Sequence, residues 1–284
     1  MNIDRIGLHI RLKQGLLQVA QEALNFNLNH FQFFLTKSTN SNHFNIEPER
    51  EDFLKIKRER FKTLYLHSSY WINPATGNTS SYEASKGLLR KELRLAQKLE
   101  IPFLVLHGGV AKEHQISPQD PYAKNAGIHT LAKMLNTLLK YESSVQFLLE
   151  NCAHGNRTIG NDFKDFVALK QELNHPEKIG FCIDFAHAFA YGYQLTNAQN
   201  FIQTIDEIIG LNSIKLIHLN DSAEACGSKK DQHTLPGHGL IGKDNLKALI
   251  NYPKLAGIPL ILEPPYTQSS KTILKSLFEE LKTW

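Results

Sequence analysis

Nine histidine and carboxylate side chains in this sequence have the types and spacing expected of metal ligands. Six of them end or directly follow short apolar runs that have the length of β-strands. Three more complete two local pairs, with the patterns D-x-x-H and D-x-H. The nine residues are His67, His107, Glu150, Asp184, His187, His218, Asp231, His233 and Glu263. Imidazole nitrogens and carboxylate oxygens are common ligands of zinc in proteins.

The size of this ligand set indicates more than one metal ion. Carboxylates and imidazoles gathered at one buried site are costly unless a cation neutralises them. A catalytic zinc commonly takes three protein ligands and a water molecule, so nine ligands suit two or three ions better than one. Clustered divalent cations attract anions and are a recurrent solution for cleaving phosphodiesters. The pattern therefore favours a metal-dependent hydrolase with an anionic substrate.

The elements that must position these side chains recur along the chain as a short apolar run followed by a longer amphipathic stretch. Runs such as 103–106 and 260–262 are continuously apolar, which is typical of parallel strands covered on both faces. The predicted strands are residues 6–10, 31–35, 63–67, 103–107, 146–150, 179–184, 213–218 and 260–263.

Helices are predicted between these strands. Apolar residues recur near a period of 3.6 in residues 83–99 and again in residues 274–281. A strand followed by a helix, repeated eight times, predicts an α/β fold, a single (β/α)8 TIM barrel of residues 1–284. An open doubly wound sheet is the alternative, but no G-x-G-x-x-G follows any predicted strand. In a TIM barrel the reaction site lies at the C-terminal ends of the strands, where six of the candidate ligands fall.

Composition excludes several other classes of protein. The chain has 284 residues, 42% of them hydrophobic, so disorder is excluded. Its 32 basic and 28 acidic residues give a net charge of +4, which allows only a local basic groove for nucleic acid. No stretch of about 20 apolar residues predicts a membrane span. Three cysteines and an N-terminus without a signal-peptide pattern predict a cytoplasmic protein.

Longer motifs surround the candidate ligands, and in them the sequence resembles the endonuclease IV family of apurinic/apyrimidinic endonucleases. The likeness covers nearly the whole chain, and its blocks follow in the family's order. These blocks are LHSSY (66–70), LHGG (106–109), LEN (149–151), CIDFAHAFA (182–190), HLND (218–221), KDQH (230–233) and ILEP (261–264).

The resemblance implies a zinc-dependent DNA-repair endonuclease. Such an enzyme hydrolyses the phosphodiester 5′ to an abasic site through a metal-bridging hydroxide, leaving a 3′-hydroxyl and a 5′-deoxyribose phosphate. The implied cofactors are three Zn²⁺ ions, with Mn²⁺ as an alternative in one site. The implied partner is double-stranded DNA with abasic sites, no membrane is involved, and a monomer is expected.

The family's ligand sets carry over residue by residue. His67, His107 and Glu150 would hold the first ion. Glu150 would bridge to a second ion held by Asp184, His218 and Glu263, while His187, Asp231 and His233 would hold the third. Glu150 and Glu263 are the implied catalytic residues. His9 ends the first predicted strand and is not assigned as a ligand.

The predicted DNA contacts lie on loops beside these ligands. Tyr70 matches the family's inserted tyrosine, and Trp71 follows it. The alternative for both rings is packing on the base of their own loop. Basic residues on neighbouring loops are expected to hold flanking phosphates, namely Lys37, Lys112, Arg157, Lys229 and Lys230. Two loops depart from the family pattern, at residues 36–40 and 9–15.

Two other functions remain open at this point. Xylose-isomerase-like sugar isomerases and epimerases share the predicted architecture and a related metal site at the strand ends. They have no use for a third ligand set, which this chain carries in His187, Asp231 and His233. A module that binds damaged DNA without catalysis would have lost at least one ligand, and none is lost.

Overall fold

Alternating strands and helices make up the computed structural model, which describes residues 3–36, 42–114, 122–140, 144–155 and 157–284. The elements in chain order are β1 (Ile6–His9), α1 (Leu16–Asn25), β2 (His30–Phe34), α2 (Arg50–Arg60), β3 (Thr63–His67), α3 (Thr79–Lys98), β4 (Phe103–His107), α4 (Ala123–Leu139), β5 (Gln146–Glu150), α5 (Lys164–Gln171), β6 (Ile179–Asp184), α6 (Phe185–Tyr191), α7 (Ala198–Ile209), β7 (Ile214–His218), β8 (Asp221–Ser222), β9 (His233–Thr234), α8 (Lys243–Ile250), β10 (Leu260–Leu262) and α9 (Lys271–Leu281).

Eight of these strands close into a parallel barrel in the order β1-β10-β7-β6-β5-β4-β3-β2. The predicted TIM barrel is confirmed, and each predicted barrel strand differs from the observed one by no more than a residue at either end. The remaining two strands, β8 and β9, form a short antiparallel pair that the sequence analysis did not predict. Strands of two residues are too short to show the alternation on which a strand prediction depends.

Side chains from six strands fill one layer inside the barrel. This layer consists of Tyr65, Val105, Leu148, Cys182, Leu216 and Ile261. Successive side chains of a strand point to opposite faces, so the residue two positions further on faces the barrel axis again. In each of the six strands that residue is a predicted metal ligand, from His67 to Glu263. The alternation of the strands therefore places all six at the C-terminal mouth.

Helices cover the outside of the barrel with the apolar faces predicted from their periodicity. Leu89, Leu93 and Ala96 of α3 are buried in the large core cluster between the barrel and its helices. Several helices begin at a capping side chain, as where Asn78 accepts a hydrogen bond from the amide of Ser81 at α3. Among the described helices, none combines the length and the apolar character needed to cross a bilayer.

One buried carboxylate organises the connection between β7 and α8. Asp221 accepts hydrogen bonds from five backbone amides, at distances from 2.8 Å to 3.5 Å. The donors are Ser222, Gly237, Gly239, Ile241 and Gly242. Asp221 is fully buried. Because Asp231 and His233 lie within this connection, Asp221 fixes the segment that carries them.

Replacing Asp221 by Asn is expected to lower the free energy of unfolding by about 2–3 kcal/mol. The amide removes the negative charge and places N–H donors against backbone donors, which leaves buried groups unpaired. Chemical denaturation followed by circular dichroism measures the change. The control is Asp244→Asn, the same substitution in the exposed first turn of α8, which should cost less than about 1 kcal/mol. Equal effects of the two substitutions would contradict this account of Asp221.

Candidate metal centre

Glu150, at the end of β5, lies at the centre of the barrel mouth. Its Oε2 is 3.0 Å from Nε2 of His67 and 2.9 Å from Nε2 of His107. Its Oε1 is 3.0 Å from Nδ1 of His218 and 3.4 Å from Nδ1 of His187. One fully buried carboxylate thus faces four imidazoles. His67, His107 and Glu150 form the first group of side chains close enough to share an ion.

The second group shares Glu150 with the first. Atoms of Glu150, Asp184, His218 and Glu263 all lie within 4.8 Å of one another. Nδ1 of His218 is 3.3 Å from Oε2 of Glu263 and 3.8 Å from Oδ2 of Asp184. Three carboxylates around one imidazole nitrogen form an oxygen-rich site that suits a divalent cation.

The third group lies to one side of the first two. Oδ1 of Asp231 is 3.2 Å from Nε2 of His187 and 3.2 Å from Nε2 of His233. Oδ1 of Asp184 accepts a hydrogen bond from the amide of His187, and this cap begins α6 directly at the end of β6. The cap turns the His187 ring into the mouth, as the D-x-x-H pattern predicted. Asp184, His187 and His233 are close enough to share an ion, and Asp231 contacts both of these imidazoles, so all nine predicted ligands meet at the mouth.

The imidazoles are oriented by hydrogen bonds behind them. Nδ1 of His67 is 2.9 Å from the carbonyl of Ser68, and Nδ1 of His187 is 2.8 Å from the carbonyl of Asn151. A ring that donates from one nitrogen to a carbonyl presents the lone pair of the other nitrogen to the site. Metal-ligating histidines almost always have such a partner, so the donor set fits divalent metal ions.

Gln32 of β2 supports the second group, although it was not among the residues predicted from sequence. Its Oε1 is 3.0 Å from Nε2 of His218, which leaves Nδ1 of that ring facing the carboxylates. Its Nε2 donates to Oε1 of Glu263 at 2.7 Å and lies 2.9 Å from Nδ1 of His9. A glutamine between phenylalanines in the strand HFQFF is the sequence signal that could have marked Gln32 as a site residue. The structure shows that this glutamine is fully buried.

Asn220 and Asn151 position the same carboxylates from behind. The amide nitrogen of Asn220 donates to Oδ2 of Asp184 at 2.7 Å and to Oε2 of Glu263 at 3.2 Å. Oδ1 of Asn151 accepts from the backbone amide of Asp184 at 2.7 Å. Both asparagines follow predicted ligands in the motifs LEN and HLND, so their positions were visible although their contacts were not.

The close packing of opposite charges shifts the pKa of several groups. Burial opposes a charge on His107, yet the Glu150 carboxylate holds the pKa of this imidazole well above its ordinary value. Against the same effect of burial, Glu263 and Glu150 raise the pKa of His218 to about 9. Burial would raise the pKa of Glu150, but His218 and His107 hold it well below its usual range. Metal ions would take the place of the protons on these rings.

Cys182 lies in the barrel layer beneath Glu150 and His218, within 4.8 Å of their ligand atoms. Burial, together with the nearby carboxylates, raises the pKa of its thiol well above the ordinary value. A thiol that keeps its proton is a weak ligand and a weak nucleophile. Cys182 is therefore a packed residue of the barrel layer.

A cavity of about 650 Å³ opens beside the second and third groups. It is lined by Tyr70 and Trp71, whose side chains are 80% and 57% exposed. The Tyr70 ring lies 4.8 Å from the ring of Phe34, which itself stands 4.9 Å from the ring of His67. One face of Tyr70 is thus supported from below while most of the ring remains open to a partner.

Two of the basic residues predicted to contact phosphate, Lys229 and Lys230, have other partners in the structure. The Lys229 ammonium donates to the carbonyl of Tyr191 and lies 3.4 Å from the centre of that ring. The Lys230 ammonium is 3.4 Å from a carboxylate oxygen of Glu224. Both cations therefore already have partners within the chain, and their contact with phosphate stays a prediction.

Two other predicted contacts stay predictions as well. Lys37 lies outside the described residues. Arg157 lies on the loop after β5, where its backbone carbonyl accepts a hydrogen bond from the amide of Ala111 at 2.8 Å.

Known proteins are similar to this chain in sequence as well as in fold. The family model of the xylose isomerase-like TIM barrel matches residues 20–284. A protein of Heliobacterium modesticaldum named "Probable endonuclease 4" is 31% identical over 264 residues, which cover 92% of each chain. The crystal structure of endonuclease IV from Thermus thermophilus superposes with a TM-score of 0.83 at 26% identity, covering 99% of this chain and 100% of the other.

A D-tagatose 3-epimerase-like protein also superposes, with a TM-score of 0.70 over 98% of each chain, but at 17% identity it shares the fold alone. The sequence likeness to the endonucleases extends over almost the whole length of the chain, and so does the structural likeness. The chain therefore belongs to the endonuclease 4 family of xylose isomerase-like TIM barrels.

Proposed function

We propose that this chain is a metal-dependent DNA-repair endonuclease that hydrolyses the phosphodiester 5′ to abasic sites in double-stranded DNA. The products are a 3′-hydroxyl and a 5′-deoxyribose phosphate. Residues 1–284 act as one domain, and the active species is a monomer that carries all nine proposed ligands. The proposed cofactors are three Zn²⁺ ions, one of which Mn²⁺ can replace.

The observation that carries this proposal is the third ligand group beside a shared two-group centre. His187, Asp231 and His233 adjoin the groups that Glu150 links, with Asp184 3.6 Å from Nε2 of His233. A sugar isomerase with one or two ions has no use for these side chains. The names of the similar proteins, which are endonucleases, support the same interpretation.

The residues of this chain would hold and orient both cofactor and substrate. His67, His107 and Glu150 would hold the first ion, and the other two groups would hold the second and third. When bound, the ions supply Lewis acidity that acidifies water and neutralises charge on the phosphate. Gln32 keeps the second group in its binding orientation through His218.

The substrate has to be reshaped before it can reach this centre. The ligands lie inside the barrel mouth, and a phosphate of a straight duplex cannot approach them, so the abasic nucleotide must rotate out and the DNA must bend. The exposed rings of Tyr70 and Trp71 stand at the rim of the cavity and would fill the gap in the base stack.

Purified protein is expected to cut a labelled duplex that carries a single abasic analogue, on the 5′ side of the analogue. A chelator should abolish the cleavage and added Zn²⁺ should restore it, while the matching undamaged duplex serves as the control. Gel analysis of the labelled strand measures the product. Conversion of ketohexoses without any cleavage of the abasic duplex would instead support an epimerase and overturn the proposal.

Metal analysis of protein purified without chelator is expected to give more than two divalent ions per chain, chiefly zinc, because the ligands exceed the needs of two catalytic ions.

Glu150→Gln should lower the metal content and abolish cleavage, since it removes the charge between the first two groups. Asp231→Asn should release only the ion of the third group. Circular dichroism checks that each variant keeps the fold. A stoichiometry of one in the parent protein contradicts the assignment.

Tyr70→Ala is expected to weaken binding to the abasic duplex about 5- to 150-fold, the scale of one lost stacking contact of about 1–3 kcal/mol. Tyr70→Phe keeps the ring and should bind like the parent. Both variants should retain the parent's metal content. Fluorescence anisotropy at one fixed salt concentration measures the affinities. Equal binding by Tyr70→Ala and the parent would show that the Tyr70 ring does not fill the gap in the base stack.

A further inference from the structure

A stacked pair of side chains bridges the β1 and β10 side of the barrel mouth. The guanidinium carbon of Arg11, on the loop after β1, lies 4.8 Å from the centre of the Tyr266 ring. Tyr266 follows β10 and is 70% exposed. Because β1 and β10 are neighbours in the barrel, the pair joins two adjacent loops above the site.

Arg11, the cation of this pair, belongs to the wall of the cavity beside the candidate metal centre. Arg11 and Lys13 line the same cavity as the predicted ligands Asp231, His233 and Glu263. Neither cation forms an ion pair within the part of the chain that the structure describes. Two positive side chains thus stand at the site without an oxygen partner of the kind that Lys229 and Lys230 have in the Tyr191 carbonyl and the Glu224 carboxylate.

The loop that carries these cations is held in place by α1. The amide of Lys13 donates to Oε1 of Gln18 at 3.0 Å, and Nε2 of Gln18 donates to the carbonyl of Arg11 at 3.3 Å. The backbone is therefore tied to the helix, while the guanidinium lies over the Tyr266 ring. A guanidinium that is already oriented loses less side-chain entropy when it binds a ligand.

We propose that Arg11, oriented by Tyr266 and assisted by Lys13, binds a phosphate group of the DNA strand that occupies the cavity. The inference rests on the proposed function and adds a phosphate-binding site to it. A guanidinium presents paired N–H donors that match two phosphate oxygens, and such charge-assisted pairs are among the stronger hydrogen bonds of proteins. The cavity volume of about 650 Å³ lies within the range of small-ligand sites, so a nucleotide unit fits beside the ligands.

The test compares Arg11→Gln with Arg94→Gln, which makes the same change of net charge on the exposed surface of α3. Affinity of the metal-loaded proteins for the abasic-analogue duplex is measured over a series of salt concentrations. Arg11→Gln should lower the affinity about tenfold or more and reduce the slope of log K against log salt by about one. Arg94→Gln should leave the slope close to that of the parent.

Two further variants separate the roles within the pair. Arg11→Lys keeps the charge and should retain the salt slope while losing part of the affinity, because an ammonium lacks the paired donors. Tyr266→Ala should lower the affinity by a smaller factor without changing the slope. The metal content of all these variants should equal that of the parent, because none of the substituted residues is among the nine ligands.

The outcomes distinguish this site from the proposed function. Cleavage by the parent together with an unchanged slope in Arg11→Gln overturns the phosphate site and leaves the endonuclease proposal intact. Equal changes of the salt slope in Arg11→Gln and Arg94→Gln would show that the effect comes from net charge alone. This result also overturns the phosphate site. A parent protein that neither binds nor cuts the abasic duplex overturns both.

Discussion

The site at the barrel mouth is arranged around one buried carboxylate, Glu150, whose negative charge must be neutralised by its neighbours. Moving a charged group such as Glu150 out of water costs several kcal/mol even after relaxation, so opposite charges or metal ions must surround it. Its four imidazole partners come from β3, β4, β7 and the start of α6. No single segment could supply them, and only the closed barrel brings these elements to one point. The neutralisation of Glu150 therefore depends on the closure of the barrel.

Much of this arrangement follows from sequence because the strands obey a period of two. Once Val105 and Leu148 are recognised as inward-facing, His107 and Glu150 must face the axis one layer above them. The barrel and the convergence of the six predicted ligands at the strand ends could be predicted for this reason, whereas His187, Asp231 and His233 lie beyond the barrel strands. The residues that orient the ligand side chains could not be predicted, because the hydrogen bonds of Gln32 and Asn220 join segments that are far apart in sequence.

The role of the basic residues on the loops was harder to predict than the position of the strand ends, because it also depends on contacts between distant parts of the chain. Whether a lysine is available depends on its neighbours in space, and Lys229 finds Tyr191 on a helix that its own sequence context does not reveal. Arg11 is the opposite case, since only the stacking on Tyr266 and the shared cavity relate it to the site. The fold resembles that of an epimerase-like protein, and the difference in chemistry is carried by side chains at the strand ends and on the loops above them.

The five amide contacts of Asp221 have a consequence for how ions enter and leave the third group. The connection that carries Asp231 and His233 takes its shape from a carboxylate inside the protein rather than from a metal ion. His233 also pairs with Ser222 in the short sheet. The conformational entropy of this segment is therefore lost during folding. An ion held by the third group would exchange by local replacement of ligands, without the refolding of a loop.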